Sequence, residues 1–342
     1  MIFYYSASKK VFYDRISALK DPEPCFLYYY DKEFLQFDWT IEPSESLKEL
    51  YKQRAQQIRD EYDYIILAYS GGIDSTNMLE SFYYNNIHVD EILTVGALSQ
   101  DSVEGSDENH NGDLYHNVFP TLQRMSLPNT KVTVQDYSLL FGDVKNLMPM
   151  RKYGNEWTKG LGGTYYSPHI MFWRSIHEYL KYPDKKVALI FAIDKPFLFP
   201  DVKGFYFEFS DGLLQAYNDT IENFERVNFY WEPKAAKVLI KQLHMIKRFL
   251  SEATSENKNL YYRYATRINE KIIYDVKNPL VHKSQKTKSK ILSNRDSFIL
   301  NNKDSDVFKL YKDGIMRLQK EFSSVAIDRS ISFPFLSRRY YV

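Results

Sequence analysis

The sequence predicts an α/β protein with an open parallel sheet, helices on both faces of that sheet, and a mostly helical C-terminal region. The first observation is a pair of continuous apolar runs, residues 64–69 and 187–192, which are typical of strands buried on both faces of a parallel sheet. The second is the alternation of such runs with helically spaced apolar residues between residues 44 and 200. The third is the change to mainly helical spacing in residues 201–342.

Residues 1–43 predict a small N-terminal strand region. Aromatic runs at Cys25–Tyr30 and Phe34–Trp39 are expected to form two strands around a turn. The segment that follows predicts the start of a helix, with Ser44 as its N-cap residue. Apolar residues at helical spacing carry that helix to about Asp60.

Residues 44–200 predict the α/β domain that would bind the ligand, and residues 201–342 predict a helical region that would shape the substrate pocket. The predicted strands of the α/β domain are Tyr64–Tyr69, Glu91–Val95, Thr130–Val134 and Val187–Ala192. Its predicted helices after the first are Ser75–Tyr84, Leu114–Met125 and Pro168–Tyr179. The predicted helices of the C-terminal region are Lys234–Leu250, Lys258–Tyr274 and Ser305–Phe322.

The composition is that of a globular chain with almost balanced charge. It has 342 residues, 44% of them hydrophobic, with 45 Lys and Arg against 44 Asp and Glu. This balance indicates no general attraction to nucleic acid or to an anionic membrane. The single cysteine, Cys25, excludes an internal disulfide framework and a cysteine-based zinc site, and it favours the reducing cytoplasm. We find no apolar core of a signal peptide and no apolar run near the ~20 residues of a membrane helix.

The loop Ser70–Ser75 is the main candidate functional site in the sequence. It follows a predicted buried strand and precedes a predicted helix, and ligands of α/β sheets bind at the carboxyl ends of the strands. Two glycines allow the backbone to approach a phosphate group, and the helix N-terminus adds unpaired N–H groups and partial positive charge. Asp74 would repel a bare phosphate, so its presence indicates a bridging Mg²⁺ ion. The loop is not a Walker A motif, because no Gly-Lys-Ser/Thr follows it, and it is not a dinucleotide-binding motif, because the third glycine is missing.

With the sequence Ser-Gly-Gly-Ile-Asp-Ser, this loop resembles the SGGxDS signature of the PP-loop ATP pyrophosphatase superfamily. The resemblance implies a fold like that of the adenine nucleotide α-hydrolases, the cofactors ATP and Mg²⁺, and cleavage of ATP to AMP and pyrophosphate. It also implies that backbone groups at the end of the second strand of the α/β domain contact adenine. The residues expected to bind the nucleotide are Ser70, Gly71, Gly72, Ile73, Asp74, Ser75, Thr76, Val95 and Gly96.

A second stretch is similar to the synthetase domain of asparagine synthetase and β-lactam synthetase. Residues 164–176 contain Ser167-Pro168 and precede the strand at 187–192, which is followed by Asp194 and Lys195. By this resemblance Asp74 and Asp194 hold the metal ion and are catalytic residues. Lys195 is a third catalytic candidate on its own chemistry, because an ammonium group there could neutralise charge on the departing pyrophosphate. Residues 191–193 replace the glycines of the corresponding loop in that family, and Lys195 replaces an acidic residue. Because position 2 is not cysteine, the resemblance does not extend to a glutaminase domain.

The predicted function is adenylate formation on a carboxylate or amide oxygen of a small molecule or amino acid, followed by attack of an amine. Two alternatives stay open: an enzyme that modifies nucleobases in RNA or DNA, and a non-catalytic nucleotide-binding protein. The basic segments Lys283–Lys290 and Arg338–Tyr341 are candidate nucleic-acid contacts, but a solvated surface is the favoured interpretation of both. Lys195 has two interpretations: it neutralises charge on the departing pyrophosphate, or it is a solvated loop lysine. The acceptor substrate, the amine donor and the oligomeric state are not predicted.

Overall fold

The computed structural model of the protein is centred on a five-stranded parallel sheet. It describes residues 2–13, 17–18, 21–96, 113–136, 182, 184–193, 195–211, 223–274 and 335–342. The strands are β1 Ile2–Ser6, β2 Val11–Phe12, β3 Cys25–Tyr29, β4 Tyr64–Ala68, β5 Glu91–Gly96, β6 Lys131–Asp136, β7 Val187–Phe191, β8 Phe199–Asp201, β9 Gly204–Phe207, β10 Phe224–Asn228 and β11 Tyr340–Tyr341. The helices are α1 Asp31–Phe34, α2 Leu47–Glu61, α3 Ile73–Tyr83, α4 Phe119–Arg124, α5 Ala236–Glu252 and α6 Ser255–Ile273. A π-helical turn, Leu114–Val118, leads into α4, and a 3₁₀ turn, Pro233–Ala235, leads into α5.

The central sheet has the strand order β10-β7-β4-β5-β6, and every neighbouring pair of strands is parallel. Helices flank the sheet, so the predicted mixed α/β fold with a parallel sheet is confirmed. Strands β4, β5 and β7 are almost wholly buried, which explains their continuous apolar sequences. The sequence did not predict β10, whose charged residues Glu225 and Arg226 break its apolar pattern at the edge of the sheet.

The strand order creates a switch point between β4 and β7. From β4 the chain builds the sheet outwards through β5 and β6, and the later strands β7 and β10 lie on the other side of β4. Loops that leave β4 and β7 therefore diverge and open a crevice at the carboxyl ends of these strands. Open α/β sheets bind their ligands in such a crevice.

Helix α2 begins at a different cap from the one predicted. The N-cap residue is Ser46, whose hydroxyl accepts a hydrogen bond from the Glu49 backbone N–H at 3.2 Å. The Glu49 carboxylate accepts one in return from the Ser46 backbone N–H at 2.8 Å, which completes a capping box. The prediction of Ser44 as the N-cap residue is wrong, because of the two serines only Ser46 has a glutamate three positions later, as a capping box requires.

The N-terminal region differs from its prediction after β3. The predicted strand at Phe34–Trp39 is wrong, because the chain turns at Tyr30, which has a φ of 49°, into the short helix α1. This turn places Phe34 and Trp39 in an aromatic core with Tyr340 of the C-terminal segment, and the Trp39 and Tyr340 ring centroids are 4.3 Å apart. Long-range burial therefore outweighs the strand propensity of the aromatic run.

The C-terminal region contains strands as well as the predicted helices. Helices α5 and α6 confirm two predictions, while Ser305–Phe322, like Pro168–Tyr179, lies outside the described residues. Strands β8, β9 and β11 form a small antiparallel sheet. None of the described helices combines the length and the apolar sequence that a membrane span requires.

Candidate functional site

The loop between β4 and α3 lies at the carboxyl end of the central strand. Backbone pairing extends past β4, since the Tyr69 N–H donates to the Leu93 carbonyl at 2.8 Å. Gly71 then adopts a left-handed conformation with φ 70°, and Gly72 is the N-cap residue of α3. The loop therefore ends directly in the helix N-terminus, as the sequence predicts.

The hydroxyl groups of the loop gather around this helix N-terminus. Gly72 has no side chain to cap α3, and the N–H groups of a helix's first turn have no partner within the helix and can bind an anion. The Ser70 hydroxyl accepts from the Gly72 N–H at 3.3 Å, and the Ser75 hydroxyl donates to the Gly72 carbonyl at 3.0 Å. The two hydroxyl oxygens are 3.3 Å apart. Backbone N–H groups and hydroxyls at one point, beside the positive end of a helix dipole, form a suitable site for a phosphate group.

Three of the predicted nucleotide-binding residues, Ile73, Ser75 and Thr76, have buried side chains. Thr76 is fully buried, and its hydroxyl oxygen lies 3.2 Å from the Tyr69 hydroxyl, so it connects α3 to the end of β4. Ile73 is also buried and can offer a ligand only its backbone. Val95 and Gly96 end β5, the strand beside β4, and lie at the same edge of the sheet as the loop.

Gly71 is required by a neighbour that the sequence did not indicate. A Cβ atom at this position would lie 2.6 Å from the Asn117 Cβ and 3.1 Å from the Val118 backbone nitrogen. The π-helical turn thus covers one side of the loop, and it also positions the buried Asn117 against the loop backbone. Ser70, in contrast, is exposed and leaves part of the loop accessible to a ligand.

Asp74 and Lys195 meet across the crevice between β4 and β7. The Lys195 ammonium lies 2.7 Å from the Asp74 carboxylate and 3.0 Å from the Glu270 carboxylate of α6. Side-chain exposure is 21% for Asp74, 6% for Lys195 and 10% for Glu270. Lys195 is therefore a buried ion-pair residue and not a solvated loop lysine. The sequence paired Asp74 with Asp194 through a family resemblance and did not predict the contact between Asp74 and Lys195, which the structure shows directly.

Glu270 is the site residue that sequence reasoning missed. Its only local signal is an acidic side chain in the last turn of a helix, where the negative end of the dipole disfavours it. Such a position suggests a cationic partner elsewhere in the fold. Helix α6 is held beside Lys195 by Asn269, whose side-chain amide donates to the Pro196 carbonyl at 2.6 Å.

The donor set suits a magnesium ion that is held largely by a nucleotide. Mg²⁺ is usually bound by one or two carboxylates together with phosphate oxygens and water. Asp74, which precedes Ser75 in the chain, offers one partly exposed carboxylate. Across the described ranges, no group of three or more His, Cys, Asp or Glu residues is arranged to hold a metal ion. The predicted second metal ligand, Asp194, lies outside the described residues.

Three buried tyrosines surround the base of Asp74. The Tyr230 hydroxyl donates to the Asp74 backbone carbonyl at 2.9 Å, and the Tyr230 and Tyr274 ring centroids are 5.7 Å apart. The Tyr51 hydroxyl donates to the Ile273 carbonyl at 2.9 Å, which connects α2 to the end of α6. Burial, supported by the negative charge of Asp74, raises the pKa of Tyr51, Tyr230 and Tyr274.

These raised pKa values predict a loss of stability at alkaline pH. Tyrosine in the unfolded chain ionises near pH ~10, whereas the three buried tyrosines keep their protons in the folded chain. The free energy of unfolding should therefore fall above about pH 10, by up to about 1.4 kcal/mol per pH unit for each tyrosine. Urea unfolding over a pH series would measure this slope. Tyr274→Phe should reduce the slope by the contribution of one tyrosine, and an unchanged slope would contradict the prediction.

A surface groove elsewhere on the molecule does not share these features. It has a volume of about 720 Å³ and is lined by residues of α2 alone. Its lining residues are Glu49, Lys52, Gln53, Gln56, Gln57, Asp60 and Glu61. Because the groove joins no second element and no glycine loop, the crevice between β4 and β7 is the better candidate site.

Comparisons with protein-family models, with curated proteins and with solved structures find no match to this chain. Its function therefore has to be inferred from its own residues.

Proposed function

We propose that the chain binds ATP at Ser70–Ser75 and cleaves it to AMP and pyrophosphate. The adenylate would form on a carboxylate or amide oxygen of a small substrate, and an amine would then displace AMP. The observation that carries this proposal is the meeting of the glycine loop, Asp74 and Lys195 at the switch point of a parallel sheet. A phosphate-binding helix N-terminus, a carboxylate and an ammonium group at one crevice are the components that phosphoryl chemistry requires.

Each component has a distinct electrostatic role in the proposed reaction. The first-turn N–H groups of α3 and the hydroxyls of Ser70 and Ser75 would bind pyrophosphate oxygens. Asp74 would hold the Mg²⁺ ion, which would neutralise charge on the phosphates. The Lys195 ammonium would add positive charge at the side where β7 ends. Positioning and charge neutralisation of this kind account for most of the acceleration in phosphoryl transfer.

The position of the adenine ring follows from the sheet. The β5 residues Val95 and Gly96 lie beside the loop, and their backbone groups would contact adenine. Numbered from β4 along the chain, the strand order is 3-2-1-4-5. This order supports an adenine nucleotide α-hydrolase-like fold and, with the loop sequence, a relationship to the asparagine-synthetase type of ligase.

A non-catalytic nucleotide-binding protein is the second candidate. The observation in its favour is the contact between Lys195 and Asp74, which occupies the carboxylate that the metal ion would need. The described part of the basic tail gives less support to nucleic-acid binding. Arg339 lies 3.4 Å from the Asp201 carboxylate and 4.2 Å from the centroid of the Tyr206 ring.

Product analysis tests the proposal and separates these candidates. Purified protein would be incubated with ATP and Mg²⁺ together with separate panels of amino acids, nucleosides and RNA, and adenine nucleotides would be resolved by chromatography. We expect AMP and pyrophosphate in equal amounts with at least one acceptor. ATP binding without cleavage across the panels would favour the non-catalytic candidate. Formation of ADP and phosphate would contradict the proposed cleavage, and the absence of ATP binding would contradict both candidates.

A further inference from the structure

Two carboxylates share one ammonium group in the crevice. Asp74 and Glu270 lie 2.7 and 3.0 Å from the Lys195 ammonium, so the three side chains carry a formal net charge of −1. Asp74 is the most exposed of the three and stands at the N-terminus of α3, beside the loop. Glu270 lies deeper, in α6. The two carboxylates therefore differ in their access to a ligand.

The position of Glu270 is set by contacts between α6 and the segment that follows Lys195. Fully buried Asn269 donates to the Pro196 carbonyl at 2.6 Å, directly after Lys195 in the chain. Tyr261, also in α6, accepts a hydrogen bond from the Leu198 N–H at 3.1 Å. These bonds fasten α6 to the segment that follows β7. A carboxylate in the last turn of a helix is disfavoured by the dipole, and Lys195 offsets this cost.

We propose that Glu270 is a positioning residue that keeps Lys195 paired when Asp74 turns to the metal ion of a bound nucleotide. This inference rests on the proposed function. Lys195 is too buried for water to solvate it well, so loss of a carboxylate neighbour is costly unless another one stays. With Glu270 in place, Asp74 can exchange the ammonium for Mg²⁺ while Lys195 stays at the crevice. The metal-free contact between Asp74 and Lys195 is then a resting arrangement.

The test compares nucleotide binding with and without Mg²⁺ in wild type and in Glu270→Gln. The probe is α,β-methylene-ATP, which cannot be cleaved at the proposed bond, and affinity is measured by calorimetry with excess Mg²⁺ or with EDTA. We expect Mg²⁺ to strengthen binding to wild type, and we expect Glu270→Gln to reduce this gain about tenfold. Binding in EDTA should be unchanged or tighter, because the variant is less negative toward the triphosphate. A purely structural defect would instead weaken binding under both conditions.

Glu256→Gln is the matched control, since it removes one carboxylate from an exposed position of the same helix. It should bind the probe as wild type does under both conditions. If Glu270→Gln does not fold, Glu270→Asp keeps the charge on a shorter side chain and should show a smaller change in the same direction. An equal gain from Mg²⁺ in wild type and in the Glu270 variant that folds would overturn the inference alone. A wild type that binds no nucleotide would overturn the proposed function, and this inference with it.

Discussion

Asp74→Asn should lower magnesium-dependent pyrophosphate release by a factor of about 100 or more, because Asp74 is the partly exposed carboxylate proposed to hold the Mg²⁺ ion. Removal of an outer-shell partner of a metal ion typically costs about 10- to 100-fold, and a direct ligand should cost at least as much. The amide is nearly the same size as the carboxylate, so the loop should keep its shape. Pyrophosphate release with ATP and the best acceptor measures the effect.

The fold of this variant should survive, because Glu270 still lies beside Lys195. Thermal unfolding measured in parallel would separate loss of activity from loss of structure. Asp60→Asn, at an exposed position of α2, is the control for removal of one acidic charge and should keep full activity. Equal pyrophosphate release from Asp74→Asn and wild type would refute the role assigned to the loop.

Gly71→Ala should destabilise the protein by about 3 kcal/mol and abolish ATP binding. A left-handed backbone costs a residue with a Cβ atom roughly 1–2 kcal/mol, and overpacking adds about 1–3 kcal/mol. Both costs apply, since φ is 70° and the new Cβ would meet the Asn117 Cβ at 2.6 Å. The loop or the π-helical turn must move, and either movement disturbs the phosphate site. Urea unfolding and calorimetry with ATP measure the two effects.

Gly204→Ala is the control for a new Cβ atom at a positive φ without a clash. Gly204 also has a positive φ, 123°, but a Cβ atom there would have no neighbour within 4 Å. Its φ lies outside the left-handed helical region, so its backbone cost is at least that of Gly71→Ala, but no neighbouring atom is displaced and it should bind ATP normally. Adding Asn117→Gly to Gly71→Ala removes the clashing atom and should recover part of the binding. Absence of any recovery in the double variant would show that the contact with Asn117 is unimportant.

Lys195 shows how far the sequence reaches into the site. The sequence predicts that Lys195 lies at the carboxyl edge of the sheet, because it follows a buried strand and parallel strands end at one edge of their sheet. Its ion-pair partners are not predicted, since Asp74 precedes it by 121 residues and Glu270 stands on a helix of the C-terminal region. Spacing along the chain does not predict which charged residues form ion pairs across such distances.

Local pattern and tertiary contact thus determine different parts of this protein. The sequence alone determined the buried strands β4, β5 and β7, the start of α3 after the glycine loop, and the helices α5 and α6. These depend on apolar periodicity and backbone conformation, which act over a few neighbouring residues. The tertiary structure decided the addition of β10 to the sheet, the helical turn at α1, the packing of Asn117 on Gly71 and the sharing of Lys195 by two carboxylates. Those features depend on packing and ion pairing between segments that are distant in the chain, and these interactions form only when the chain folds.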